Sequence, residues 1–153
     1  MVGELYSTLV PITGPLPEHE VYEGLIMSEP KTKATLYGWN EVLKEQLNPK
    51  LARQFVSGEQ AMFARIELKK GCIVPTHAHP NEQIAYIESG ALLFRLGYPG
   101  EEEQVHTVRA GEVLVIPGNL PHSAEALEDT VDFDLFAPPR KDWIDKDDSY
   151  LRQ

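Results

Sequence analysis

The sequence predicts an all-β sandwich or barrel, and three observations carry that prediction. From residue 51 onward, apolar and polar residues alternate with period two over short segments. A turn-forming pair stands at nearly every junction: Ser57-Gly58, Lys70-Gly71, Ser89-Gly90, Pro99-Gly100, Ala110-Gly111, Pro117-Gly118 and Glu128-Asp129. The chain has 153 residues and 17.2 kDa, one domain's worth, so these strands must share one core. Its composition, 42% hydrophobic and 25% charged, is that of an ordinary globular domain rather than a disordered chain.

Residues 1–37 contain Pro11, Pro15, Pro17 and Pro30 with Gly14 and Gly24 between them. They read as an extended N-terminal arm with a short strand around 22–27, of a kind that packs along a sheet edge or crosses to a second subunit. In 38–47, Trp39, Val42, Leu43 and Leu47 fit one helical face, Asn40 can cap it and Pro49 follows its end, so a short helix is expected. Strands follow at 51–56, 62–68, 72–76, 83–88, 91–96, 105–109, 113–116, 122–127 and 131–136. Residues 138–144 leave the sheet and begin a short helical tail. The acidic residues Asp145, Asp147 and Asp148 read as solvated surface. The expected organisation is therefore an arm (1–37), a barrel (38–144) and a tail (145–153).

Fourteen Lys and Arg against 24 Asp and Glu give a net charge of −10 and a pI near 4.9. That balance argues against non-specific nucleic-acid binding and against docking on an anionic membrane, since both need a positive field. No helix-turn-helix segment accompanies the strands. No apolar run approaches a membrane span, and the N-terminus lacks a basic start followed by an apolar stretch. Cys72 is the single cysteine and pairs with nothing inside the chain; it reads as a small buried apolar residue. A soluble, cytoplasmic protein is expected.

Chemistry concentrates in the histidines. His77 and His79 lie two apart, so on a continuous strand both rings project to one face and form a two-point chelate. Gln83, four residues further on, keeps that parity if the strand continues. His122 follows in a separate strand, after the turn Pro117-Gly118-Asn119-Leu120-Pro121, where it can close a site inside a barrel. His19 and His106 have no assigned role, and His106 is expected to face solvent.

These spacings resemble the cupin family. Residues 71–90 read Gly71, five residues, His77-x-His79, three residues, Gln83, six residues, Gly90, which resembles the first cupin motif with Gln83 where most cupins carry glutamate. Residues 111–122 read Gly111, five residues, Pro117, four residues, His122, which resembles the second motif. Asn119 stands where that motif usually has glycine, and Ala126 where it has asparagine; both positions bear on turn geometry rather than on ligation. The resemblance implies a double-stranded β-helix, or jelly-roll, barrel with a divalent metal held by His77, His79, Gln83 and His122. Three neutral imidazoles and an amide leave the ion's +2 charge uncompensated, which favours an anionic or oxygen-rich ligand. The donor set suits Zn²⁺, Ni²⁺, Mn²⁺, Co²⁺ or Fe²⁺.

The last strand places Val131, Phe133 and Leu135 on one face and Asp132, Asp134 and Phe136 on the other. Two readings stay open: the acidic face points at water, or Asp134 and Phe136 face the barrel interior, where Asp134 suits general acid/base chemistry. Arg140 suits either a bidentate pair with a substrate carboxylate or a surface salt bridge. The run His79-Pro80-Asn81-Glu82-Gln83-Ile84-Ala85-Tyr86, together with 134–142 (DLFAPPRKD), resembles small single-domain cupins of the KdgF type. Those enzymes convert 4,5-unsaturated uronates to linear keto sugar acids. By that resemblance Asp134 is the catalytic aspartate, Phe136 a pocket residue and Arg140 a catalytic and substrate-binding arginine. A small anionic substrate and a homodimer are expected. An iron- or nickel-dependent dioxygenase and a non-catalytic metal or small-ligand binding module remain as alternatives.

Overall fold

The computed structural model describes residues 33–153. The strand around 22–27 and most of the arm lie outside the described residues; the compact unit that carries the core spans Leu36–Gln153. Among the described residues, ten strands form two antiparallel sheets. The larger has six strands in the order β1-β2-β3-β10-β5-β8: β1 (Glu45–Asn48), β2 (Leu51–Ser57), β3 (Met62–Leu68), β10 (Thr130–Ala137), β5 (Glu82–Ser89) and β8 (Val113–Ile116). The smaller runs β4-β9-β6-β7: β4 (Ile73–His77), β9 (His122–Ala126), β6 (Ala91–Leu96) and β7 (Gln104–Arg109). The chain switches sheets repeatedly, giving the expected jelly roll. Its core lies between the sheets, on Leu51, Met62, Ala64, Ile87, Leu92, Phe94, Ile116 and Phe136. Cys72 is buried in that core, and His106 is exposed as expected.

The helix expected in 38–47 does not form. Backbone N–H groups of Glu41 and Val42 turn back to the Gly38 carbonyl, and β1 then pairs with β2. A helix this short gains little on its own, so partners decide. The Gln54 side-chain amide donates to the carbonyls of Trp39 (2.5 Å) and Val42 (2.8 Å), which fixes open turns there. Of the four residues on the supposed apolar face only Leu47 enters the core; Leu43 is 75% exposed. Trp39 packs instead on Phe63 and Phe133, on the outside of the larger sheet.

The chain's end departs from expectation at Asp148. After β10 a short helix, α1 (Lys141–Ile144), buries Trp143, and a single 3-10 turn (Ser149–Leu151) returns to the barrel and buries Leu151. Asp145 and Asp147 are exposed, but Asp148 is fully buried. It pairs with the buried Arg53 of β2 at 2.5 Å and with Arg152 at 3.0 Å. Arg53 also forks onto Glu45 of β1 (Nε 3.0 Å, Nη2 2.9 Å). The C-terminus is thus tied to the first two strands. Removing one member of a buried pair leaves an uncompensated charge, so Asp148→Ala is expected to cost about 3 kcal/mol, measured by urea denaturation.

Candidate functional site

The site is built at one end of the barrel from four stretches of chain. His77 ends β4 and stands directly opposite His122, the first residue of β9. His79 is not on that strand: β4 stops at His77, and Gln83 belongs to β5 in the other sheet. The parity argument for these two residues therefore fails: β5 positions Gln83 through its pairing with β10 and β8, and a loop positions His79. The backbone N–H of Asn119 donates to the His79 carbonyl at 2.7 Å, and Gly118 lies so close to the Pro80 carbonyl that a Cβ there would collide with it. Asn119 has φ 65°, the left-handed conformation that glycine supplies elsewhere and that asparagine tolerates. Asn81, unassigned from sequence, braces the same loop: its amide donates to the carbonyls of Pro138 (2.6 Å) and Pro139 (3.2 Å).

The three imidazoles converge. Ring centroids are 4.4 Å apart for His77–His122, 5.1 Å for His79–His122 and 5.6 Å for His77–His79. One ring nitrogen from each lies within 4.8 Å of the others. Each Nδ1 faces a backbone carbonyl: Pro75 for His77 (2.8 Å), Asn81 for His79 (3.1 Å) and Leu120 for His122 (2.8 Å). Those carbonyls accept from Nδ1–H and so fix the tautomer that leaves each Nε2 lone pair free, the arrangement of metal-ligating histidines. The Nε2 atoms of His79 and His122 are buried without a hydrogen-bond partner among the described residues. The cluster fits a metal ion on these grounds.

Burial keeps the rings neutral. Desolvation, reinforced by His122, pushes His77 down to about 4. Desolvation and then the charge of Arg140 push His79 to about 3. Desolvation lowers His122 as well. Exposed imidazoles lose their free base about tenfold per pH unit below 6.5, so three of them would lose roughly 10³-fold in metal affinity between pH 7.5 and 5.5. Here the loss over that interval is expected to stay under about tenfold, because His77 and His79 do not protonate within it. Competition titration with a chromophoric chelator at the two pH values measures this.

The acidic face of β10 points inward. Asp132, Asp134 and Phe136 are all buried, so the water-facing reading is excluded for both aspartates. The Gln83 amide nitrogen donates to Asp134 Oδ1 at 2.8 Å. Desolvation raises Asp134 to about 7, with the Gln83 hydrogen bond and Arg140 acting against it. Asp132 is pushed well up by burial and by Asp134. Phe136 meets His79 edge to face at 5.6 Å.

Arg140 is buried, with its guanidinium over the rings of Phe136 (5.1 Å) and Trp143 (4.9 Å). Its fork already has a partner inside the chain. Nε and Nη2 hold the two Asp142 oxygens at 2.9 and 2.6 Å, and Nη2 also donates to the Tyr150 hydroxyl at 2.8 Å. Tyr150 stacks on His77 at 4.7 Å, so the C-terminal turn forms one wall of the pocket. The structure thus brings His77, His79, Gln83, His122, Asp134, Phe136 and Arg140 to one place. Sequence reasoning missed Asn81, Asp142, Trp143 and Tyr150. Asp142 and Tyr150 carried no signal beyond nearness to Arg140.

A cupin-domain family model matches residues 64–137, the stretch from β3 through β10. The structure of KdgF from Halomonas sp. superposes with a TM-score of 0.64 at 26% identity, covering 72% of this chain and 99% of that one. An RmlC-like cupin from Shewanella frigidimarina gives the same TM-score at 21% identity, over 72% of this chain and 96% of that one. Among curated relatives, germin-like protein 3-1 of Oryza sativa subsp. japonica is 33% identical over 92 residues. That match covers 58% of this chain and 39% of the relative, so this chain spans about two-fifths of its length. No helix among the described residues is long and apolar enough to cross a membrane.

Proposed function

The chain is a small cupin resembling KdgF, and from that premise we propose that it is a metal-dependent enzyme acting on a small anionic sugar acid. The reaction that fits the site best is ring opening and tautomerisation of a 4,5-unsaturated uronate to a linear keto acid. The observation that carries this reading is Asp134: a buried carboxyl poised at about 7, hydrogen-bonded by Gln83 beside three converging imidazoles. An acid held in low dielectric costs stability. A general acid/base needs that poise near neutral pH.

His77, His79, His122 and Gln83 would hold one divalent ion, of the Zn²⁺, Ni²⁺, Mn²⁺, Co²⁺ or Fe²⁺ class. When bound, that ion supplies Lewis-acid polarisation of substrate oxygens. Asp134 takes the proton from the hydroxyl at the anomeric end as the ring opens, and returns a proton to carbon as the enol becomes the ketone. Gln83 keeps the Asp134 carboxyl oriented through its amide. Phe136 and Trp143 exclude water around it. Arg140 draws the substrate carboxylate through its charge and through Nη1, the nitrogen that Asp142 and Tyr150 leave uncommitted. Most of the protein's field is negative, so this attraction is local and KM should rise with salt.

The test is elemental analysis of the purified chain coupled to a panel of unsaturated uronates. Loss of the conjugated enol absorbance in a metal-bearing sample supports the reading. A metal-bearing sample inert toward every uronate, with and without oxygen, removes it. A homodimer belongs to the same proposal. Phe63, Tyr86, Val113, Val115 and Leu135 lie exposed on adjacent strands of the larger sheet, an apolar surface that a second copy would cover. Sedimentation showing only a 17.2 kDa species at micromolar concentration would remove it.

A further inference from the structure

Five buried side-chain polar atoms lack a hydrogen-bond partner among the described residues. Two are the Nε2 atoms of His79 and His122. The other three are Arg53 Nη1, Asp132 Oδ1 and Trp143 Nε1. Arg53, Asp132 and Trp143 all line the cavity that also holds His77, Gln83, His122 and Asp134. A buried donor or acceptor left unmade is expensive, and three around one cavity point to a ligand that meets them.

Strand register places them. Gln83 pairs with Phe136, whereas Asp132 stands four residues further along β10 and pairs with Ile87. In the same row Asp132 lies opposite Ile66 of β3, and Ile66 lies opposite Arg53 of β2. Arg53 and Asp132 therefore sit deeper in the barrel than Gln83, and Trp143 of α1 packs on both Arg53 and Phe136. Arg53 is held rigidly by Glu45 and Asp148, and its guanidinium lies 4.4 Å from the Trp143 ring centre. All three residues are at least 96% buried.

We propose that Arg53 Nη1, Trp143 Nε1 and the Asp132 carboxyl form an inner polyol subsite, which takes the hydroxyl-bearing stretch of a carbohydrate whose other end lies at the histidines. The chemistry favours hydroxyls over an anion. Glu45 and Asp148 already balance Arg53, so no net positive charge is left to hold an anion. Two N–H donors beside a carboxyl match hydroxyl groups, each both donor and acceptor. The choice of a sugar-acid ligand rests on the function proposed above; the placement of its hydroxyl end rests on the three unpartnered atoms.

The test uses the full ¹⁵N-labelled chain with D-galacturonate, a saturated analogue, as probe. The two tryptophans give two indole N–H signals, and Trp39→Phe assigns the one from Trp143. The Trp143 signal is expected to move saturably with D-galacturonate while that of Trp39 stays. Asp132→Leu, which keeps shape but removes hydrogen bonding, should weaken binding about five- to tenfold. Asp132→Asn, which keeps a donor and an acceptor, should bind within about twofold of the parent chain. Both variants should raise the urea midpoint, since an unpartnered buried carboxyl is gone; a residue kept for structure alone would not show weaker binding with higher stability. Should Asp132→Leu fail to fold, Trp143→Phe with calorimetry gives the same comparison, with affinity again reduced. A static Trp143 signal, or D-galacturonate affinity unchanged in Asp132→Leu, overturns the subsite. Turnover of the unsaturated uronate, assayed in parallel, separates the two claims. An inert protein whose Trp143 signal moves keeps the subsite and loses the reaction; an active protein whose Trp143 signal is static does the reverse.

Discussion

Replacing Asp134 by asparagine is expected to lower kcat on an unsaturated uronate by about 10²- to 10⁴-fold, the range for loss of a general acid/base, while metal content stays at the parent level. Asparagine has nearly the same shape, and its oxygen can still accept from Gln83, which donates to Asp134 at 2.8 Å in the parent chain. The pocket and the donor set therefore persist, and what is lost is the transferable proton. Stability should move the other way. Asp134 is raised to about 7, chiefly by desolvation, from an ordinary value of 3.8. Between those values the native state holds a proton that the unfolded chain releases, so the parent chain loses stability as pH rises through that window. Asp134→Asn removes this loss and should raise the urea midpoint more at pH 8 than at pH 5. Steady-state kinetics with paired denaturation at both pH values measures it. Unchanged kcat would take the acid/base role away from Asp134.

The second large effect is expected at His122. His122→Ala removes one of three converging nitrogens and opens the pair that His77 and His122 form across β4 and β9. Changing an outer partner of a metal ligand typically costs 10- to 100-fold in affinity, so removing a ligand itself should cost more than about 100-fold. A ligand present at 100 times its dissociation constant stabilises the fold by about 2.7 kcal/mol. The parent chain should gain that much on metal addition, and His122→Ala should gain almost nothing at the same concentration. Comparing melting with and without metal in each protein isolates this effect from any cost of the substitution alone.

How much of this could be read beforehand depends on the range of the interaction involved. Strands from 51 onward were legible because the turn pairs between them and the period-two pattern are local. The inward face of β10 followed from parity once Phe136 was known to be buried, and Asp134 followed with it. The identities of His77, His79, Gln83 and His122 were legible from spacing, but the reason offered for His79 and Gln83 was not the physical one. A loop held by Gly118, Asn119 and Asn81 brings in His79, and the pairing of β5 with β10 and β8 brings in Gln83; those contacts join residues far apart in sequence. The segment 38–47 carried a helical pattern that the distant Gln54 amide and pairing with β2 overrode. Asp148 looked like one more acid in a charged tail because nothing near it hints at Arg53. Likewise, Arg140 left two readings open in the sequence, a substrate carboxylate or a surface salt bridge, whereas the fold buries it and closes its fork on Asp142 and Tyr150.

The account stands on the convergence of His77, His79 and His122 on one ion, with Gln83 beside them. X-ray absorption spectroscopy of the chain loaded with one equivalent of Zn²⁺ tests this most directly. The account predicts a single bound ion per chain whose outer-shell scattering fits three imidazoles, with one of them lost in His122→Ala. A spectrum with no imidazole scattering, or a chain that takes up no ion at neutral pH, would contradict it.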